Sequence, residues 1–177
     1  SLKYNIDKWT IHAKYKFRIR QRNNSEKTYI LNRYTNKLRI SIQRTTESVS
    51  TSTIIDLSRF SYTDNRSYGY SFTQNISIQA HKKATIYAFA SYFDTDDNNS
   101  SVYLSERTIP GAYISSSFYG RGFRFSSIVK STLTSNIIVN FKVSLTKYFN
   151  RNTISSGLRM INHSHQTDID FGVKYKF

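Results

Sequence analysis

The sequence predicts an all-β protein, an antiparallel up-and-down transmembrane β-barrel with about eight strands in this chain. Three observations predict it. Apolar and polar residues alternate over long stretches, which is typical of strands with one apolar and one polar face. The composition favours strands, with 14 Tyr and 12 Phe among 177 residues. Short and long connections between the predicted strands also alternate, as they do in outer-membrane barrels.

The carboxy-terminal stretch, from Thr167 to Phe177, shows the alternation most clearly. From Ile169 onward every odd position is apolar, and every even position from Asp168 onward is polar or glycine. An aromatic residue at the end of the last strand is common in bacterial outer-membrane barrels, because it lies in the interfacial girdle. This stretch is therefore expected to be the final strand of a barrel.

The same alternation predicts seven further strands earlier in the chain. They run from about 9 to 20, 37 to 44, 51 to 62, 68 to 80, 84 to 93, 118 to 130 and 136 to 148. The phase is ambiguous at 51–62, and the stretch 84–93 is apolar on both faces. Each apolar stretch has about ten residues, the length that a tilted strand needs to cross a bilayer.

The predicted connections differ in length. Short ones lie near 46–50, 81–83 and 131–135, and long ones at 21–36, 63–67, 94–117 and 149–166. With a periplasmic carboxy terminus, every long connection lies on the outer side of the membrane. The alternative is a soluble sandwich or a lipocalin-like barrel, whose apolar residues would point inward.

Composition narrows the class of protein. The chain has no run of 18 apolar residues, so no transmembrane helix is predicted. Cysteine is absent, which excludes disulfides and thiolate chemistry. No signal peptide is visible, so an exported chain would begin after a cleavage site at Ser1 or be a piece of something longer. We expect one domain over 1–177, either an outer-membrane barrel or its carboxy-terminal part.

The charge of the chain is strongly positive, with 26 Lys and Arg against 11 Asp and Glu and a net charge of +15. If the apolar faces meet lipid, eleven cations point into the lumen and only Asp168 and Asp170 clearly oppose them. The eleven are Lys14, Lys16, Arg18, Arg20, Lys37, Arg39, Arg124, Lys130, Lys142, Lys174 and Lys176. An anion-attracting lumen is one interpretation. Snorkelling to lipid headgroups, or partners in strands of misassigned phase, is the alternative.

This charge bears on barrel closure. An eight-stranded barrel has an interior just wide enough for its own side chains. Burying an unpaired charge costs several kcal/mol per ion. We therefore expect these eight strands not to close into a dry barrel. They would form one side of a wider, wet barrel, completed by a missing amino-terminal portion or by another chain.

Seven short segments, mainly within 85–177, carry a resemblance to a known family. They are Phe93–Asp97, Val102–Glu106, Pro110–Ala112, Phe118–Arg124, Ser156–Leu158, Gln166–Ile169 and Tyr175–Phe177. They resemble large bacterial outer-membrane proteins that carry helix-hairpin-helix (ComEA-like) repeats before a carboxy-terminal barrel. The resemblance implies the last strands of such a barrel and recognition of Phe177, as an assembly signal, by the barrel-insertion machinery. No helix-hairpin-helix segment occurs here, so its DNA contact is not carried over, and the resemblance supplies no catalytic residues.

Three groups of residues suggest site chemistry. Asp94, Asp96 and Asp97, with Asn98, Asn99 and Glu106 nearby, offer oxygen ligands for structural calcium, although the spacing is not that of an EF-hand. His163 and His165, close to Asp168 and Asp170, suggest a transition-metal site without a strong zinc motif. Ser, His and Asp occur without the ordered signature of a hydrolase. A solvated polar loop is the simpler interpretation for each group.

The leading functional hypothesis is a non-enzymatic protein of the bacterial outer membrane, a pore or a scaffold subunit of an envelope complex. Its expected partners are outer-membrane lipid, the barrel-assembly machinery and other envelope-complex subunits. No catalytic residue, cofactor or metal ligand is assigned. The alternatives are an outer-membrane hydrolase with loop-borne catalytic residues and a nucleic-acid-binding or uptake component.

Overall fold

The computed structural model describes residues 1–23, 28–112 and 117–176. Its main element is an antiparallel sheet of nine strands, accompanied by a separate pair of two-residue strands. The strands are β1 Leu2–Ile6, β2 Trp9–Asn23, β3 Ile30–Thr45, β4 Val49–Tyr62, β5 Asn65–His81, β6 Ala84–Thr95, β7 Val102–Tyr103, β8 Ser117–Phe118, β9 Arg121–Thr132, β10 Ile137–Tyr148 and β11 His165–Tyr175. Strands adjacent in the chain are adjacent in the sheet, except that β6 pairs with β9.

The all-β prediction is confirmed, and each of the eight predicted strands forms. Three strands were not predicted. The first, β1, folds back onto β2 through a tight turn in which Asp7 has a φ of 47°. The other two, β7 and β8, have two residues each, too few for a periodic pattern to appear. Within the described ranges, no helix is long and apolar enough to cross a membrane.

The predicted long connection at 63–67 is wrong. Tyr62 of β4 pairs directly with Asn65 of β5, so the two strands are joined by a two-residue turn in which Thr63 has a φ of 50°. Residues 65–67 are polar and resemble a loop in sequence, but they continue the ladder. The connection predicted at 21–36 is shorter for the same reason, because β2 extends to Asn23 and β3 begins at Ile30.

The cross-strand register assigns a face to every strand, including the two of unresolved phase. In β4, Ile54 and Phe60 are buried and Leu57 is exposed; in β6, Phe89 and Phe93 are buried. We call the buried side of the sheet the polar face, because most of its buried residues are polar. They are Ser58, Ser67, Ser71, Thr73, Ser91, Thr95, Arg124, Ser126, Asn140, Lys142, Ser144 and Thr146.

The opposite side, the apolar face, is the exposed one. Its exposed side chains include Tyr70, Phe72, Phe125, Val129, Phe141, Leu145, Ile169, Phe171, Val173 and Tyr175. Phe171 exposes 67% of its surface, whereas Lys142 is fully buried at 0%. A water-soluble domain normally buries its large apolar residues and exposes its charges. The sheet has the reverse arrangement.

The polar face is covered by part of the connection between β6 and β9. Residues 97–109, which we call the inner segment, lie across it. Val102, Leu104 and Ile109 of this segment are buried. Val102 and Leu104 belong to the same apolar cluster as Phe89 and Phe93 of β6. The inner segment is thus packed against the sheet by apolar contacts and held by the polar contacts described below.

The sheet has two free edges. In the described part of the chain, β2 pairs only with β1 and β3, and β11 pairs only with β10. No ladder joins the strand that starts at Trp9 to the carboxy-terminal strand, so the prediction that these strands do not close on themselves is confirmed. Phe177, the predicted assembly signal, lies outside the described residues.

Candidate functional site

A buried ionic cluster joins the inner segment to the sheet. Glu106 of the inner segment forms an ion pair with Arg124 of β9, and its Oε1 lies 2.5 Å from Nζ of Lys142 in β10. Arg124 also donates from Nη1 to the hydroxyl oxygen of Thr146, at 2.6 Å. Asp168 of β11 lies at the margin of the cluster, 3.8 Å from Arg124. One carboxylate therefore compensates two buried cations of neighbouring strands.

The electrostatics of Glu106 follow from this arrangement. Burial by itself raises the pKa of a carboxyl, because the charged form loses its hydration. Hydrogen bonds from Arg124 and Lys142, together with their charges, lower the pKa of Glu106 by more, so it lies below its ordinary value. Glu106 is consequently ionised at neutral pH. The cluster carries one net positive charge when Glu106, Arg124 and Lys142 are counted.

Cations from β3 hold the other end of the inner segment, mainly by its backbone. Nζ of Lys37 donates to the carbonyl oxygen of Ser101 at 2.9 Å, and Nη2 of Arg39 donates to that of Tyr103 at 2.7 Å. Arg39 is itself fixed by a two-pronged pair with Asp56, at 2.6 and 3.0 Å. The inner segment therefore spans the polar face from β3 to β10, anchored at both ends by basic side chains.

Nearly all of the eleven predicted basic residues lie on one side of the sheet. The register puts ten of them on the polar face, and Lys176 lies one residue beyond β11. Three of the ten pair with carboxylates, namely Arg39 with Asp56 and both Arg124 and Lys142 with Glu106. Those on β2 are exposed.

We call this exposed part, Lys14, Lys16, Arg18 and Arg20 of β2, the basic strip. No ion pair or side-chain hydrogen bond joins these four residues to any other described residue. Two clefts open beside it on the polar face. One, of about 210 Å³, is lined by Lys14, Lys16 and residues of β3, β4 and β7. The other, of about 240 Å³, lies beyond the strip and includes Arg22 and Arg33.

The carboxylates suggested as calcium ligands have separate protein partners. Asp94 pairs with Arg121 at 2.8 Å, and Asp96 accepts from the backbone N–H of Tyr68 at 2.8 Å. Asp97 caps a short 3-10 turn, where hydrogen bonds from Ser67, Asn99 and Ser100 outweigh the effect of burial and lower its pKa. Glu106 belongs to the ionic cluster instead. Among the described residues, no group of three or more His, Asp or Glu could hold a metal ion.

The two histidines of the other suggested metal site lie side by side. The ring centroids of His163 and His165 are 5.5 Å apart. Asp168, one of the two neighbouring acids, accepts a hydrogen bond from the side chain of Gln166 at 2.7 Å. Within the described ranges, no serine hydroxyl is hydrogen-bonded to a histidine.

Sequence reasoning did not single out Asp56, and it named Glu106 only beside the suggested calcium ligands, not as the partner of Arg124 and Lys142. Asp56 lay in a strand whose phase was unresolved, so its face was unknown. Glu106 lay in a predicted outer loop, and periodicity does not indicate that a loop folds onto the sheet. One weak signal was present, because Val102 and Leu104 alternate with Tyr103 and Ser105 just before Glu106. Such alternation is typical of an extended segment with one buried side.

We compared the chain with protein-family models, with curated proteins and with solved structures. None of the three comparisons finds a match. The resemblance to the ComEA-like outer-membrane proteins stays a prediction.

Proposed function

We propose that the chain is part of a bacterial outer-membrane β-barrel, with its apolar face against lipid and its polar face lining an aqueous interior. The observation that carries the proposal is the reversed burial of the sheet. Aromatic and aliphatic side chains such as Phe171 and Val173 are exposed, while Lys142 and Arg124 are buried. A large exposed apolar surface is unfavourable in water and favourable in a bilayer.

The free edges support a barrel wider than this sheet. In hydrocarbon, every backbone N–H and C=O group needs a hydrogen-bond partner, so membrane sheets close on themselves. Within the described residues, β11 forms a ladder only with β10, and β2 has no second neighbour beyond Ala13, where its pairing with β1 ends. Further strands, from a longer form of this chain or from another chain, would pair both edges and enclose the polar face.

The interior suggests a pore or a scaffold more than a site of catalysis. Its residues are mainly basic and hydroxyl-bearing, and the inner segment crosses it from β3 to β10. The part that carries the basic strip stays open. We propose a non-enzymatic barrel whose inner segment narrows one side of the lumen, with lipid and envelope-complex subunits as its partners.

The single tryptophan provides the test. Trp9 lies on the apolar face and exposes 44% of its surface. In vesicles made with brominated lipids, which quench tryptophan on contact, its fluorescence should fall strongly after reconstitution. Two double variants form a matched pair, and both carry Trp9→Phe. One adds Phe171→Trp on the apolar face, and the other adds Asp170→Trp on the polar face. Only the Phe171→Trp probe should be quenched. A monodisperse protein in detergent-free buffer, with neither probe quenched by the vesicles, would overturn the proposal.

A further inference from the structure

We propose that the basic strip binds a linear polyanion whose charges are phosphates. The inference rests on the proposed function, because the strip must face an aqueous interior for such a ligand to reach it. It goes further than a generally basic lumen, since it names a location, a shape and a chemical class.

Like charges face each other directly across β2 and β3. Lys14 is opposite Arg39, Lys16 is opposite Lys37, and Arg20 is opposite Arg33. Directly opposed like charges destabilise an antiparallel pair. Three such pairs in two neighbouring strands weaken the sheet unless an anion lies over them. The register itself therefore points to a ligand of negative charge.

Elsewhere on the polar face, three cations are paired with carboxylates. Arg124 and Lys142 have Glu106, and Arg39 has Asp56. Such pairing is absent on β2, where the four cations of the basic strip have no carboxylate partner among the described residues. Lys37, Lys130 and Lys174 also lack a carboxylate partner among the described residues, but they are spread over β3, β9 and β11, whereas β2 carries four such cations in an unbroken row.

The shape of the strip fits an extended ligand. Residues on one face of a strand recur about every 6.7 Å, so the cations from Lys14 to Arg22 span roughly 27 Å. The two clefts beside the strip lie near its two ends, one at Lys14 and Lys16 and the other at Arg22 and Arg33. A single small anion fills one cleft only, whereas a chain of anionic groups reaches both. Three of the five cations from 14 to 22 are arginines, whose planar guanidinium matches phosphate oxygens in a two-pronged geometry.

Binding is tested on the chain reconstituted in nanodiscs. The probes are a fluorescent inorganic polyphosphate long enough to span the strip, a single-stranded oligonucleotide of similar length, and inorganic monophosphate as competitor. Fluorescence anisotropy gives the affinity at several salt concentrations. We expect the polyphosphate to bind, and the slope of log affinity against log salt to report the number of phosphate contacts. Tighter binding of the oligonucleotide would identify a nucleic-acid strand as the source of the phosphates.

Two variants that each remove four positive charges separate the strip from general basicity. The strip variant carries Lys14→Gln, Lys16→Gln, Arg18→Gln and Arg20→Gln. The control variant carries Lys8→Gln, Arg59→Gln, Lys82→Gln and Lys83→Gln, all exposed residues in turns or on the apolar face. The strip variant should lower the salt slope by about three, because each contact to a single-stranded chain contributes about 0.7. The control should leave the slope unchanged.

Three results would overturn this inference: no polyphosphate binding, equal loss in both variants, or competition by monophosphate as effective as that by polyphosphate at equal phosphate concentration. Quenching of Trp9 by brominated lipid is measured on the same samples. Normal quenching without binding rejects the polyanion and leaves the barrel. Loss of quenching in the unmodified chain rejects the barrel itself.

Discussion

Nζ of Lys142 lies 2.5 Å from Oε1 of Glu106, and neither side chain exposes more than 2% of its surface. The two residues belong to different elements: Lys142 lies in the central part of β10, and Glu106 lies in the inner segment. Their pair, together with Arg124, is a buried ionic contact between that segment and the sheet. Breaking it therefore tests how the inner segment is held.

Glu106→Gln should destabilise the protein by about 3–5 kcal/mol, because it leaves the buried charges of Arg124 and Lys142 without a carboxylate. The free energy of unfolding in urea, measured after reconstitution, checks this. Glu47→Gln serves as the control, since Glu47 is an exposed turn residue. A loss no larger than that of the control would show that the cluster does not stabilise the fold.

The pKa of Glu106 predicts how this contribution depends on pH. Its pKa in the folded state is lower than in the unfolded state, so the unfolded chain takes up the proton first as pH falls. The stabilisation is complete above the ordinary glutamate pKa of about 4.3 and disappears as pH falls through the lower folded value. The difference in unfolding free energy between the unmodified chain and Glu106→Gln should thus be constant near neutrality and shrink in acid. A difference that grows in acid would contradict the assignment.

The apolar face is tested by charge insertion. Val143→Arg or Phe171→Arg should cost roughly 2–4 kcal/mol if the position lies near the middle of the bilayer, and should lower the inserted fraction. Ser77→Arg is the matched control, because Ser77 lies on the polar face beside an open cleft. Equal insertion of all three variants would argue against contact of the apolar face with lipid.

Gly69 of β5 lies where the backbone of the inner segment passes close to the sheet. A Cβ at this position would overlap the carbonyl oxygen of Ser100 and lie 2.8 Å from Cγ2 of Thr95. Gly69→Ala should therefore displace the segment and cost about 1–3 kcal/mol, the usual range for overpacking. Unfolding in urea provides the measurement.

Ser71→Ala, two residues further along the same face, is the control for Gly69→Ala. The buried hydroxyl of Ser71 has no hydrogen-bond partner among the described residues, and removing an unsatisfied buried hydroxyl is neutral or stabilising. Resistance of the inner segment to proteolysis should fall in Gly69→Ala and stay unchanged in Ser71→Ala. If both variants behave alike, the close approach at Gly69 is not what positions the segment.

The strands could be predicted from the sequence because each has an apolar face that repeats with a period of two. The period-two pattern predicted the faces of β10 and β11, where it is strict. It did not determine the phase of β6, because both faces of that strand carry apolar residues. In β6 the two faces serve different purposes, since Phe89 and Phe93 contact the inner segment and the other face is directed outward. A local pattern does not distinguish these environments.

The candidate site was less predictable than the sheet. The basic residues were identified because they alternate with apolar ones along strands. Their carboxylate partners were not identified. Glu106 and Lys142 are 36 positions apart in the sequence, and they meet because the connection that carries Glu106 folds onto the sheet. Predicting it requires knowing that the connection turns onto the polar face. The tight turn at Thr63 and Asp64 was missed for a related reason, because polar residues in a strand on a polar face look like a loop.

Three of the bonds that anchor the inner segment end on main-chain carbonyl oxygens, those of Ser101, Tyr103 and Arg107. A carbonyl is present whatever side chain the residue carries. Substitution at these three positions therefore leaves the anchoring acceptors in place, while the cations that bind them belong to the strands. These three side chains are thereby free to diverge in evolution without the inner segment coming loose from the sheet.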